Sequence, residues 1–291
     1  MLKTRSLLLL TLLAPLAVVL TGCGDSHSVP QFTQMVFLSD RTAVPATPLF
    51  RQKLDGTGVT PVPLTSGDAY YSSVSADATK VALYLNGDAW VQNADGSESL
   101  QLTTTGNIDF VRISPDGKKV VFNDGTLHHL SIINIDGTDK VDLTPTLPAS
   151  MTDCFSAGFS GDGKQIAFVC EGTSVYGIYT VKTDGTGTAT VTASRTKWTD
   201  LPSFSPDNKK VFFIGEDDTN TYNVESINLD GSGDVVVVPN TYEAVVLNSN
   251  IYYASYSSQL ELYQVYKAGM DGSGVISLSD GTHTDYLGLA Q

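Results

Sequence analysis

The chain has 291 residues, with 31 acidic and 17 basic side chains and a formal net charge of −14 at pH 7. So acidic a chain argues against nucleic-acid binding, which needs clustered lysine and arginine, and against docking on anionic lipid beyond a covalent anchor. Charged residues make up only 16% of the chain and aromatic residues 9%, which favours a folded, β-rich protein over a disordered one.

Residues 1–22 are typical of an export signal. Lys3 and Arg5 precede an apolar run over residues 7–20. That run is too short and too close to the N-terminus for a secure transmembrane helix. No second apolar stretch approaches the length that a bilayer requires.

The apolar run ends in Leu20-Thr21-Gly22-Cys23, which resembles the bacterial lipoprotein signal. The resemblance implies cleavage before Cys23 and acylation of this cysteine, so that residues 23–34 form a lipidated tether. An ordinary cleavable signal with a chance cysteine is the alternative. Under the sorting pattern of well-studied Gram-negative lipoproteins, Gly24 implies the periplasmic face of the outer membrane.

Two turn signals alternate along the rest of the chain. One is an Asp-Gly pair followed by Thr or Ser, at Asp55, Asp95, Asp136, Asp184, Asp230 and Asp271. The other is Ser-Pro-Asp-Gly at residues 114–117, with weaker copies that start at Ser75, Ser160, Ser205 and Leu247. Both compositions favour tight turns between antiparallel strands.

Short apolar segments between these turns, such as 81–85, 120–122 and 166–169, predict strands. Each repeat then holds four strands, a to d, with the Ser-Pro-Asp-Gly turn between a and b and the Asp-Gly turn between c and d. Four antiparallel strands per repeat form one blade of a β-propeller.

Strands b, c and d occur six times, but the first b strand, at residues 35–38, has no a strand before it. Residues 284–291 resemble an a strand with no blade after it. The prediction is an all-β, six-bladed propeller over residues 35–291, in which the C-terminal strand completes the first four-stranded blade. This arrangement leaves no open sheet edge at the ring closure.

The motif Ser-Pro-Asp-Gly-Lys-Lys-Val-Val-Phe at residues 114–122, followed by a strand, Asp-Gly-Thr and Leu-Thr, resembles the TolB-type, WD40-like propeller repeat. The resemblance covers about residues 35–291. It implies the propeller fold and, more weakly, a binding role with protein partners in the cell envelope.

Cys154 and Cys170 are equidistant along the chain from Asp162, the centre of an a–b turn. Antiparallel pairing about that turn places the two cysteines opposite each other, close to the Cβ separation that a disulfide needs. Because an exported chain folds in an oxidising compartment, we predict a disulfide between them. Two buried free thiols are the alternative.

The b–c and d–a connections vary in length and leave the same end of the blades, which we call the loop rim; the opposite end, with the regular a–b and c–d turns, is the base rim. An acid recurs on the loop rim at the start of each a strand: Asp68, Asp109, Asp153, Asp200, Glu243 and Asp285. If these acids converge on the channel mouth, they would hold a cation such as Ca²⁺ or a basic peptide. Alternatively, each acid caps its own loop.

Aromatic residues near the loop rim, among them Trp198, Tyr222 and Tyr242, are candidate anchors for a protein or a sugar. Packing between blades is the alternative for each. Signals of catalysis are few: there is no Gly-x-Ser-x-Gly elbow, and only His283, near Asp285, is a candidate acid–base residue.

We therefore expect a monomeric, non-catalytic scaffold that needs no cofactor and binds envelope proteins. The alternative is a carbohydrate-active lyase or hydrolase, or a glycan-binding surface, that uses the loop rim and the central channel.

Overall fold

The two turn signals work through side-chain bonds to the backbone of the same turn. In the computed structural model, one carboxylate oxygen of Asp55 accepts hydrogen bonds from the Thr57 backbone N–H and hydroxyl at 2.9 and 2.6 Å. These bonds favour the ionised form and lower the pKa of Asp55. Gly56 follows with a φ of +86°, a conformation that glycine adopts without a steric penalty.

In the a–b turns, the serine closes the turn. The Ser114 hydroxyl donates to Asp116 at 2.7 Å and accepts the backbone N–H of Lys119 at 2.9 Å. Ser75, Ser160 and Ser205 make the same pair of bonds. The recurring Ser-x-Asp pattern is therefore a local capping device.

The structure describes residues 29–40, 49–64, 72–126, 128–144, 151–186 and 190–287, with the backbone alone for 190–194. These residues form six four-stranded antiparallel sheets, which confirms the predicted six-bladed propeller. All regular secondary structure in these ranges is β-strand. No helix that could span a bilayer occurs among the described residues.

Strand bounds follow the repeat, with the a strand innermost in each blade. Blade 1 contains β1 (Gln34–Ser39), β2 (Leu49–Lys53), β3 (Thr60–Pro61) and, as its a strand, β24 (Asp285–Tyr286). Blade 2 contains β4 (Ser72–Val74), β5 (Lys80–Leu85), β6 (Asp88–Asn93) and β7 (Leu100–Gln101). Blade 3 contains β8 (Val111–Ile113), β9 (Lys119–Asp124), β10 (His129–Asn134) and β11 (Val141–Asp142).

The remaining three blades have longer strands. Blade 4 contains β12 (Met151–Phe159), β13 (Gln165–Gly172), β14 (Val175–Lys182) and β15 (Thr190–Arg195). Blade 5 contains β16 (Thr199–Phe204), β17 (Lys210–Glu216), β18 (Tyr222–Asn228) and β19 (Val235–Val238). Blade 6 contains β20 (Glu243–Leu247), β21 (Asn250–Ser257), β22 (Leu262–Gly269) and β23 (Ile276–Ser277).

The ring closes as predicted, because β24 pairs antiparallel with β1. Leu38 lies opposite Tyr286, and Ser39 lies opposite Asp285. Leu287, the next residue, is only 1% exposed. Residues 288–291, which the sequence also assigns to this strand, lie outside the described residues.

Hydrophobic side chains fill the spaces between neighbouring blades. Val81 and Leu83 of blade 2 pack in one cluster with Leu38 and Leu49 of blade 1, and equivalent clusters lie between the other blades. Each blade is thus stabilised by its two neighbours, and the rims are held on a rigid ring.

The predicted disulfide is present. Cys154 on β12 lies directly opposite Cys170 on β13, with a Cα–Cα distance of 4.0 Å, and both residues are fully buried. The disulfide lies in the half of the hairpin nearer the loop rim.

The N-terminal residues that the structure describes cross the base rim. Val29 lies against Gly161 in the a–b turn of blade 4. Phe32 exchanges two hydrogen bonds with the Asn248 side chain, at 2.9 and 3.0 Å, and the Thr33 backbone N–H donates to Ala76. The last residues of the expected tether are therefore bound to the propeller, against the a–b turns of blades 2, 4 and 6 on the base rim.

Candidate functional site

Five of the six predicted channel-mouth acids lie in the described ranges, and two of them bond to neighbouring side chains. Asp109 is exposed and accepts a hydrogen bond from the Asn123 amide at 2.8 Å, while Asn123 in turn accepts the Asp109 backbone N–H. Asp153 faces His128 of blade 3, with 3.3 Å between Oδ2 and Nδ1. The sixth acid, Asp68, lies outside the described residues.

The other three acids are buried. Glu243 on β20 accepts the backbone N–H of Leu287 at 2.7 Å and so connects the a strands of blades 6 and 1. Asp285 is 1% exposed and lies opposite Ser39 in the closing pair of strands. Both acids therefore lie at the ring closure.

Asp200 lies where the a strands of blades 4 and 5 approach each other most closely. It accepts the N–H of Leu201 at 2.7 Å, and that N–H also reaches the Ser156 hydroxyl at 3.1 Å. Gly158 lies against the Pro202 carbonyl with no room for a β-carbon. Burial raises the pKa of Asp200, although the bonds from Ser156 and Leu201 and the charge of Arg112 act in the opposite direction.

These acids are not assembled into one ligand set. Across the described ranges, no three His, Cys, Asp or Glu side chains lie close enough to hold a metal ion together. Asp109, Asp153, Asp200 and Glu243 each have a specific partner in their own or a neighbouring blade.

The histidines pair with separate carboxylates. His128 lies in the turn before β10 with a φ of +58°, not on the strand itself, and contacts Asp153; His129, the first residue of β10, binds Asp142 at 2.8 Å. His283 contacts Asp280 at 3.0 Å. The expected neighbour of His283 was Asp285, but its imidazole faces the aspartate three residues earlier.

The three predicted rim aromatics lie together on the loop rim. Tyr222 is the central ring: its centroid lies 5.4 Å from that of Trp198 and 5.2 Å from that of Tyr242. Trp198 and Tyr222 also pack against the core between blades 5 and 6. The three side chains come from different connections, so the fold, not the local sequence, brings them together.

Three further tyrosines continue this row. Tyr242 contacts Tyr263 at 6.3 Å, and Tyr263 contacts both Tyr256 and Tyr286, at 5.3 and 4.8 Å between centroids. We call the six residues the aromatic strip: Trp198, Tyr222, Tyr242, Tyr256, Tyr263 and Tyr286. It runs from blade 5 across blade 6 to the closing strand of blade 1.

The rings of the strip differ in how far they are exposed to solvent. Tyr242 and Tyr256 are 48% and 49% exposed, whereas Tyr263 and Tyr286 are only partly exposed. Burial raises the pKa of Tyr263 and of Tyr286, and the nearby charge of Glu243 adds to both shifts. The strip is therefore a rigid apolar surface with a carboxylate beside it.

Tyr263 was not predicted from the sequence to belong to this surface. The signal was its place in the repeat: Tyr176, Tyr222 and Tyr263 each stand at the first or second position of a c strand in blades 4, 5 and 6. An alignment of the repeats by their turns would have placed all three at the same height. Tyr286 required the closing strand to be paired correctly.

The channel holds a separate cavity of about 160 Å³, lined by residues from all six blades. Its wall is largely apolar and includes Phe159, Phe204 and Val245, with Arg112 as a cationic member. Phe32 lines it from the base-rim side.

Solved structures with the same fold include TolB proteins. A protein assigned provisionally as TolB in Agrobacterium tumefaciens has a TM-score of 0.64 and 20% identity, over 79% of this chain and 92% of that one. TolB of Acinetobacter baumannii has a TM-score of 0.72 and 16% identity, over 88% of this chain and 65% of its own length.

An oligogalacturonate lyase of Vibrio parahaemolyticus also shares the fold, with a TM-score of 0.54 and 15% identity over 85% of this chain and 72% of the lyase. No protein-family model and no curated protein sequence matches the chain. At these identities the similarities establish the propeller fold alone, which TolB proteins share with an oligogalacturonate lyase.

Proposed function

We propose that this protein is a non-catalytic binding propeller of the bacterial envelope whose loop rim binds a partner protein. Residues 1–22 act as the signal peptide, and acyl chains on Cys23 hold the tether of residues 23–34 to the membrane. In a Gram-negative cell, the expected location is the periplasmic face of the outer membrane. The observation that carries the binding role is the aromatic strip.

The strip has the properties of an interaction hot spot. Large aromatic side chains dominate the free energy of protein association when a partner covers them. Here the rings are held by one another and by the core beneath, so little side-chain entropy is lost on binding. The half-exposed rings of Tyr242 and Tyr256 are available for contact.

The charges beside the strip indicate a partner with a basic surface. Asp40 is exposed and close enough to Tyr286 for its charge to raise the pKa of that tyrosine, whereas Glu243, which acts in the same sense on Tyr263 and Tyr286, is buried. Glu216, at the end of β17, pairs with Tyr222 across the b–c hairpin. Carboxylates around an apolar centre favour complementary lysine and arginine side chains at the edge of the interface.

The test is capture of partners by crosslinking in intact envelopes. Wild-type protein and the Tyr242→Ala/Tyr256→Ala variant would be purified after crosslinking, and the captured proteins compared by mass spectrometry. We expect the double variant to lose its specific partner, while Tyr242→Phe, which keeps the ring, retains it. Lys118→Ala, at a side chain 78% exposed on the base rim, is the matched control. Equal capture by all variants would contradict the proposal.

Glycan binding or cleavage is the second candidate, favoured by the shared fold with an oligogalacturonate lyase and by the aromatic strip, since tyrosine and tryptophan also stack on sugars. Wild-type protein would be incubated with oligogalacturonate and with other bacterial and plant glycans, and binding and unsaturated products measured. Turnover that is abolished by replacing one of the six rim acids with its amide, Asp→Asn or Glu→Gln, would establish an enzyme and overturn the scaffold role. Glycan binding lost in Tyr242→Ala without turnover would establish a lectin-like surface.

A further inference from the structure

The d strands of blades 5 and 6 begin with exposed aliphatic side chains beside the base rim. Val235 and Val236 of β19 are 51% and 55% exposed, and Val275 and Ile276 at β23 are 53% and 57% exposed. We call these four residues the aliphatic patch. Because each pair directly follows a c–d turn, all four lie at the base-rim end of their blades.

The two halves of the patch are adjacent. Gly272, in the c–d turn of blade 6, lies against the Val237 backbone so closely that a β-carbon would not fit. This contact places the c–d turn of blade 6, which leads into β23, beside β19. Single exposed hydrophobic residues are normal on a protein surface, but four exposed aliphatic side chains on two neighbouring blades are typical of an interaction site.

Repetition of the blades supplies an internal comparison. The strand pairing places Val141 of blade 3 at the position of Val235 and Ile276, so one aliphatic residue there belongs to the blade repeat, although Val141 is only partly exposed. The second exposed residue of each pair, Val236 or Val275, corresponds in blade 3 to the polar Asp142 or Lys140. These second valines are therefore not a requirement of the blade fold.

The tether leaves the propeller on the same side. Phe32 and Thr33 are bonded to the base rim, and the described chain continues to Val29 at the a–b turn of blade 4. Six peptide units separate Val29 from Cys23, and a fully extended chain of that length spans at most about 20 Å. If Cys23 is acylated, the base rim is kept within that distance of the bilayer.

We infer that the aliphatic patch rests on the lipid bilayer, so that the anchored propeller lies with blades 5 and 6 against the membrane and its loop rim facing away. This inference rests on the anchoring part of the proposed function. Because the chain is strongly acidic, the contact depends on burial of the aliphatic side chains in the interface and on the acyl anchor, and not on attraction to anionic headgroups.

The test measures the depth of single labels on the acylated chain in phosphatidylethanolamine–phosphatidylcholine vesicles, which carry no net charge. A fluorescent label at Ile276→Cys is compared with one at Asp139→Cys, in the c–d turn of blade 3 on the same rim, and one at Asp218→Cys on the loop rim. Nitroxide-bearing lipids should quench the label at position 276 several-fold more than the label at 139 and leave the label at 218 unquenched. Equal quenching at 276 and 139 would overturn the inference.

A second variant tests whether the aliphatic groups cause the contact. Val235→Thr, Val236→Thr and Val275→Thr keep β-branched side chains while adding a hydroxyl, so the fold should persist by circular dichroism. In the Ile276→Cys chain these changes should reduce quenching to the level seen at position 139. If they instead convert a dimer to a monomer in sedimentation and leave quenching unchanged, the patch is an interface between two copies and the inference fails.

A third arrangement separates the patch from the lipid anchor. The chain with Cys23→Ser and a histidine tag before residue 23 is held on vesicles by nickel-chelating lipids, which need no acylation. Acylation is measured separately, by mass spectrometry of the wild-type chain purified from cells. A wild-type chain without acyl groups, together with quenching at 276 on the nickel-chelating vesicles, would contradict the anchor of the proposed function and support the patch. An acylated wild-type chain without quenching at 276 would support the anchor and overturn the inference.

Discussion

At the base rim, aspartates bond to the next residues of their own turns, whereas at the loop rim carboxylates and aromatic rings contact groups from neighbouring connections and blades. Asp55 closes its turn through Thr57 two residues on. Glu243 instead holds the backbone of Leu287, 44 residues away in the chain. The difference indicates that each base-rim turn is stabilised by its own residues, whereas the loop-rim contacts form only after neighbouring blades have come together.

The largest expected effect comes from the ring closure. Leu287 is 1% exposed and belongs to the cluster that joins blades 5, 6 and 1. Leu287→Ala should lower the free energy of unfolding by about 2–5 kcal/mol, as for other buried leucines. Urea denaturation measures the change, with Leu260→Ala, at a leucine 45% exposed, as the control. Similar effects for both leucines would show that the closing strand adds little.

The disulfide is expected to matter next. The Cys154→Ala/Cys170→Ala variant loses a crosslink that spans 16 residues, and chain entropy alone predicts a loss of about 3 kcal/mol. Thermal unfolding with and without reductant checks this, because reductant should destabilise the wild type and leave the variant unchanged. A wild type indifferent to reductant under unfolding conditions would contradict the expectation.

A charged group between blades 4 and 5 should give a distinct pH dependence. Glu225 binds Arg195 at 2.8 Å, while Asp234 competes for the same guanidinium at 2.6 Å. Burial, opposed by Arg195 and reinforced by Asp234, raises the pKa of Glu225 from 4.5 to about 7. A raised pKa stabilises the fold below pH 4.5, and this stabilisation is lost as the pH rises towards 7.

The base-rim aspartates act in the opposite sense and in another pH range. Their pKa values are lowered from 3.8, so their contribution is present above that pH and is lost on further acidification. Glu225→Gln should therefore weaken the pH dependence of the unfolding free energy between pH 4.5 and 7 and leave the loss of stability below pH 3.8 unchanged. Urea unfolding from acidic pH to pH 7 measures both effects. The same pH dependence in variant and wild type between pH 4.5 and 7 would refute the assignment.

The smallest effect is expected at a single base-rim turn. Ser114→Ala removes the hydroxyl that bonds Asp116 and the Lys119 N–H, at a cost of about 1 kcal/mol. Ser249, exposed in the equivalent turn of blade 6, provides a control whose replacement by alanine should change the unfolding midpoint little. Because the capping is local, Ser75→Ala and Ser205→Ala should cost about as much as Ser114→Ala.

The sequence alone determined the number of blades, the strand order and the disulfide, because these follow from bonds and spacings within single hairpins. It also determined the ring closure, because the count of strands leaves the first blade without an a strand and residues 284–291 resemble the missing one. The Ser-x-Asp and Asp-Gly-Thr turns bond within a few residues, and the two cysteines are equidistant from one turn. Because these contacts are local, the order of the turns along the sequence is enough to predict the architecture.

The tertiary structure alone decided which loop-rim residues meet. The sequence proposed a ring of six acids, yet Asp153 contacts a histidine of the preceding blade and Glu243 a backbone N–H of the closing strand. It identified Trp198, Tyr222 and Tyr242 but not Tyr263, which contacts three of the strip's other rings. These contacts depend on the twist and separation of neighbouring blades, which inter-blade packing sets and local spacing does not encode.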